Sequence, residues 1–62
     1  MTHDDADLVR AVAEEYVTLL GRNAVTRLRD EEASSRSEGD ALSAEAWCDI
    51  ADAAVLLLRR LQ

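Results

Sequence analysis

Trp47, Ile50, Ala54, Leu57 and Leu61 recur at spacings of three, four, three and four residues, a pattern that an α-helix turns into a single face. Ala51 and Leu58 widen that seam. A chain with such a stripe must bring apolar surface up against it, so the stripe sets the task for the rest of the sequence. Its start is well marked. Ser43 is placed to act as N-cap, Glu45 lies where the helix dipole favours an anion, and Leu42 is placed to pack on Trp47 as a hydrophobic staple. Arg59 and Arg60 fall in the last turn, where cations suit the negative end. The spacing predicts a helix over residues 43–61.

The opposite side of that helix carries an anomaly. Glu45, Asp49, Leu56 and Arg59 fall on one line with Asp52 beside them, so Leu56 interrupts a face that otherwise suits water. A single exposed leucine is common in monomers. Here Val55 and Cys48 adjoin it, and the helix is apolar nearly all round from Ala53 to Leu58, which predicts burial from more than one side. Val55, Leu56 and Leu58, with Val9 and Leu19 from the N-terminal stretch, are therefore the candidate interface residues.

The N-terminal part supplies a partner for the seam. Asp4, Asp5 and Asp7 load a first turn with anions, with Thr2 or Asp5 as cap. A broad apolar sector follows, including Leu8, Val9, Val12, Ala13, Tyr16, Val17, Leu19 and Leu20. This predicts a helix over about residues 4–20, wide enough to touch two neighbours. Glycine inside a helix costs about 1 kcal/mol relative to alanine, and Asn23 is a fresh N-cap candidate, so the chain bends or breaks near Gly21. A second segment then runs over about 23–36, with Ala24, Val25 and Leu28 continuing the stripe. After Leu28 charge and serine dominate as far as Gly39, whose left-handed conformation with Asp40 starts a reversal. The turn is expected over 37–42, which is short and makes the flanking helices antiparallel.

The resulting expectation is an all-α single domain over residues 1–62. It is a helical hairpin of two long helices, the first bent or broken near Gly21, so that two to three helices result. The predicted core sets Val12, Tyr16 and Leu20 against Trp47, Ile50, Ala54, Leu57 and Leu61. Sixty-two residues lie near the size at which one core is only marginally stabilising. Neither a disulfide nor a structural zinc helps, because the chain has one cysteine and one histidine. Completion of a bundle by oligomerisation is the remaining remedy, with a dimer favoured.

An N-terminal apolar helix, the Leu20-Gly21 break, a charged second segment, the Gly39-Asp40 turn and a helix bearing Trp47, Ile50 and Ala54 together resemble small helical-hairpin proteins common in alphaproteobacteria. In these a glycine-aspartate turn is likewise followed by a tryptophan-bearing helix. The resemblance spans about residues 8–58 and implies a fold. It implies no activity, since that group has none assigned. The leucine-rich end from Val55 to Leu58 departs from the pattern.

Charge and motif content narrow the function classes. Thirteen acidic residues against seven basic ones, all arginine, give a net charge of −6. Such a chain has no basic patch with which to release counterions, which argues against nucleic-acid binding, and an anionic membrane surface would repel it. No apolar run approaches the ~20 residues of a membrane span, and the acidic start MTHDDAD is unlike a signal segment. A cytoplasmic location is expected.

His3 followed by Asp4, Asp5 and Asp7 raises the question of a copper or nickel site at the N-terminus, against which a frayed acidic turn is the simpler reading. No histidine lies three residues after Glu14, Glu15 or Glu45, so the di-metal pattern of helical bundles is missing. Cys48, beside Asp49, lacks the electropositive setting of a nucleophile. No phosphate loop, Ser-His-Asp set or cysteine pair is present in the sequence. The expectation is a protein that is not an enzyme and that takes no metal or other cofactor. Its predicted role is a homo-oligomeric structural or interaction module. The alternative is an acidic regulator, antitoxin-like or an anti-factor, that binds a target protein through its leucine-rich C-terminal helix.

Overall fold

The computed structural model describes the backbone of residues 4–61 and the side chains of residues 6–61. Three helices account for nearly all of it: α1 Asp4–Leu20, α2 Asn23–Ser37 and α3 Ala41–Leu61. No strand occurs among the described residues.

The two connections are short because glycine does the turning in each. α1 ends with Gly21 at φ +58°, and the Gly21 amide donates to the Val17 carbonyl at 2.8 Å, the single-bond form of a left-handed helix stop. The chain therefore breaks at Gly21 rather than bending through it. Asn23 does not cap α2. Arg22 precedes the helix in right-handed helical conformation with no side-chain cap, and the Ala24 amide instead donates to the Gly21 carbonyl at 3.0 Å.

The second connection is tighter than the expected turn over 37–42 and moves the start of α3 forward. At Gly39 the backbone adopts φ +80°. The Gly39 amide donates to the Arg36 carbonyl at 3.0 Å and the Asp40 amide to the Ser35 carbonyl at 2.9 Å, which is the double bond set of a Schellman stop. Asp40 then opens the next helix. Its carbonyl accepts from the Ala44 amide at 3.0 Å and its Oδ1 from the Ser43 amide at 3.1 Å. Asp40, not Ser43, is thus the N-cap, because an aspartate directly after the left-handed glycine reaches the third-residue amide. Leu42 consequently falls in the first turn, 82% exposed, and does not act as a staple on Trp47.

Packing is centred on α3. It packs most extensively against α2, less against α1, and α1 and α2 touch least. α2 runs antiparallel to α3 through the Gly39-Asp40 turn, and Arg29 reaches Cys48 and Asp52 across the pair. α1 runs in the same direction as α3. One surface groove is lined by Leu8 and Val9 with Leu42 and Ala46, another by Val17 and Thr18 with Leu57 and Leu61. Three helices arranged up, down and up around a middle one give a flattened body with Cα extents of 35 × 30 × 15 Å.

The core is made mostly of alanine. Ala13, Leu28, Ile50, Ala51 and Ala54 form the buried cluster, with Val9, Val12, Tyr16, Val17, Trp47 and Leu57 among the residues half-buried against it. Ala24 and Ala44 are buried too, and Leu28 is the one large side chain fully enclosed among the described residues. Small residues let helix axes approach closely, but each hides little apolar area. Tyr16 and Trp47 meet edge-to-face with ring centroids 6.2 Å apart and planes at 76°, which is a favoured aromatic geometry.

Two leucines expected in the core lie outside it. Leu20 is 38% and Leu61 75% exposed. Both have the right azimuth on their helices, but each sits in a last turn at the mouth of an open groove, Leu20 beside Tyr16 and Arg27 and Leu61 beside Val17 and Thr18. Periodicity gives the direction of a side chain and not its depth along the bundle axis.

Candidate interaction surface

The molecule has two ends, and they differ in charge. At the link end α1 stops, Gly21 and Arg22 connect, α2 starts and α3 stops. Leu19, Leu20 and Leu61 are exposed there, in company with Arg22, Arg27, Arg59 and Arg60 and with Glu14 and Glu15. Arg27 lies 3.8 Å from Glu31, and Glu14 3.8 Å from Arg10. Arg22, Arg59 and Arg60 enter no ion pair among the described residues. At the turn end Leu8 and Leu42 are exposed among Asp7, Glu38, Glu45 and Asp49. Four of the seven arginines thus gather at the link end, and the acidic excess lies toward the other.

The five residues expected to form one interface are dispersed. Val9 is half-buried against the core at the turn end. Leu19 is at the link end. Val55 and Leu58 are half-buried on the flanks of α3. Leu56, 59% exposed, lies opposite the Trp47–Ala54 stripe on the acidic outer face of α3. The helical wheel places Leu56 correctly on that outer face, while the grouping of all five needed a knowledge of axial depth. Leu19, Leu20 and Leu61, which share the link end but line two separate grooves there, were divided by the sequence between core and interface. Their common location follows once α1 and α3 are known to run parallel.

A polar cluster joins α2 to α3. Arg29 donates to Asp52 Oδ1 at 3.0 Å, to Glu32 Oε1 at 3.2 Å and to Cys48 Sγ at 3.7 Å, and Arg36 donates to Glu32 Oε2 at 3.0 Å. Hydrogen bonds donated to Asp52 first, then to Glu32 and Cys48, hold the Arg29 guanidinium above its usual pKa. Arg29 and then Arg36 hold the Glu32 carboxyl below its usual range. The charge beside Cys48 is therefore a guanidinium from α2, where the sequence pointed to Asp49. Every charged member has a partner within the cluster, so its chemistry is spent on tying the two helices.

Asp40 is likewise engaged. Hydrogen bonds from Ser43, side chain first and amide second, lower its pKa from the ordinary value of 3.8. Among the described residues no three His, Cys, Asp or Glu side chains gather as a metal site. His3, the residue on which a copper or nickel site would turn, lies outside the described residues. Among the described residues no helix is long and apolar enough to cross a membrane. No protein-family model, curated protein or solved structure matches the chain.

Proposed function

We propose that the chain is a non-enzymatic interaction module that works as a homo-oligomer. The observation that carries this reading is the set of six exposed leucines, Leu8, Leu19, Leu20, Leu42, Leu56 and Leu61, on a chain whose own core is largely alanine. The overall dimensions agree. The surface area is 4579 Å², against about 3,950 Å² for a folded monomer of this mass. The radius of gyration is 11.5 Å, against about 10.5 Å for a compact domain of this length. A second copy supplies the apolar cover that one chain lacks. Analytical ultracentrifugation at tens of micromolar, with circular dichroism on the same sample, tests the reading. An assembly of more than one chain is the expected result, and a folded monomer across that range overturns it.

A second reading rests on a different face. Leu56 stands exposed on the outer side of α3 between Asp52 and Arg59, with Asp49 and Glu45 further along the same face, a mostly acidic setting that suits an apolar slot with a basic rim on another protein. It makes the chain an acidic regulator that masks its target. Cross-linking from that face in host cells, with Leu56→Glu as control, is expected to yield one stoichiometric partner that the variant loses. Retention of the partner by the variant overturns this alternative.

A further inference from the structure

We infer that α1 is an exchangeable arm: Gly21 straightens, α1 and α2 join into one helix, and α1 of each chain docks on α3 of a second copy, in the place that α1 holds in the single chain. The inference rests on the homo-oligomer reading and names how two copies join. No new surface is required, because each α3 is covered by the same helix that covers it in one chain.

The apolar pattern runs through the break. Ala13, Val17, Leu20, Ala24 and Leu28 recur at spacings of four, three, four and four residues. On an unbroken helix they fall within about 80° of one another, so the joined segment keeps one apolar side. Ala13, Ala24 and Leu28 are fully buried in the single chain, while Leu20 is 38% exposed. At a straightened joint Leu20 lies in the middle of that side and faces the joint of the second copy.

The break itself is one residue wide. Gly21 has φ +58°, whereas Arg22 is already right-handed helical, and a Cβ at Gly21 would meet nothing within 4 Å. A change of backbone at Gly21 alone therefore joins the helices, and short hinges of this kind invite exchange. α1 is also the helix released most easily, since it shares less contact with α3 than α2 does and little with α2. The directions agree. In line with α2, α1 lies beyond the link end of its own chain and runs back toward that end, which is the course of α1 in a copy related by a two-fold axis there. The groove between α1 and α3 is rebuilt from two chains, with Glu14 of one facing Arg60 of the other. Contacts that hold the dimer lie along the length of α1 and α3, away from the arginines that approach one another at the joint.

The experiment asks whose α3 carries each α1, in the full chain with Cys48→Ser to remove the native thiol. Leu8 and Leu42 line one groove at the turn end and are 64% and 82% exposed, so cysteine at either is expected to leave the fold intact. Chains with Leu8→Cys alone and Leu42→Cys alone are unfolded, refolded together at tens of micromolar and treated with a short bismaleimide. A covalent heterodimer is expected on a denaturing gel, and no covalent dimer from either variant by itself. The chain bearing both cysteines is expected to give covalent dimer in preference to an internally bridged monomer. Gly21→Ala strains the closed chain and favours the joined helix. It is expected to lower the dimer dissociation constant about 30-fold by sedimentation equilibrium, since the helical disadvantage of glycine is removed once in each chain. Insertion of Gly-Ser-Gly-Ser after Gly21 is expected to return the chain to monomer. A parent that stays a folded monomer overturns the homo-oligomer reading and the exchange with it. A parent oligomer in which the doubly substituted chain bridges only internally, or whose dissociation is unmoved by Gly21→Ala, overturns the exchange alone.

Discussion

Leu28 is the side chain on which the interior depends most. It is fully enclosed, while its buried neighbours in the cluster are mostly alanines, so removing it leaves a cavity that small side chains cannot collapse to fill. Leu28→Ala is expected to cost about 2–5 kcal/mol, read from urea titration of the helical signal. That is comparable to the whole stability of a domain this small, so the variant is expected to be substantially unfolded in dilute solution. Asp40 acts through a hydrogen bond instead of through volume. Its pKa is depressed in the folded chain, so its stabilisation is complete above the ordinary value of 3.8 and is lost as pH falls through the lower folded value. Asp40→Ala is expected to lower the melting midpoint by about 4–8 °C at neutral pH. The gap between variant and parent is expected to close in strong acid, which melts at a series of pH values will show.

Much of what the sequence left obscure also belongs to single residues. Ser43 and Asp40 are both good caps, and the choice between them depended on whether Gly39 would take a left-handed conformation. The buried alanines, Ala13, Ala24, Ala44, Ala51 and Ala54, were undervalued because apolar patterning weights large side chains. Close helix approach rewards small ones.

Among elements, α3 keeps the role its periodicity suggested, with Ile50 and Ala54 buried and Trp47 and Leu57 half-buried. The helical segments were legible because each repeats near 3.6 residues and glycine punctuates the joins, while their number stayed at two or three because a glycine can bend a helix as well as break it. The parallel course of α1 and α3 was not, since the packing of distant segments leaves no local mark. The two glycines set the connections, and a Cβ at either would meet nothing within 4 Å, so the penalty of substitution comes from backbone conformation alone. Gly39→Ala and Gly21→Ala are each expected to destabilise by about 1–2 kcal/mol, measured by chemical denaturation, with Asn milder at both positions. The Arg29–Asp52 pair is a different case. It is 3.0 Å long but both side chains are substantially exposed, and such pairs contribute little. Asp52→Asn is expected to shift the melting midpoint by no more than about 4 °C.

For the molecule as a whole, the mismatch between an alanine core and exposed leucines sets the behaviour. If a second copy covers exposed leucines, folding and association are linked by mass action. The melting midpoint is then expected to rise with protein concentration, and calorimetry at low and high micromolar concentration is the check. A midpoint independent of concentration speaks for a self-sufficient monomer. The charge polarity between the two ends could not be read from the total of −6. It emerges once the turns bring Arg22, Arg59 and Arg60 to one end.

The Gly39-Asp40 turn leaves no slack between α2 and α3, since Asp40 both completes the stop of one and caps the other. The two helices should consequently open to solvent as one cooperative unit, with matching protection of their amides from hydrogen exchange. α1 is joined to α2 as tightly through Gly21 but shares less contact with α3 and little with α2, so its amides are expected to exchange first. The chain is in that sense a rigid clasp with a detachable arm, and the arm ends in two of the leucines that a second copy would hold in place.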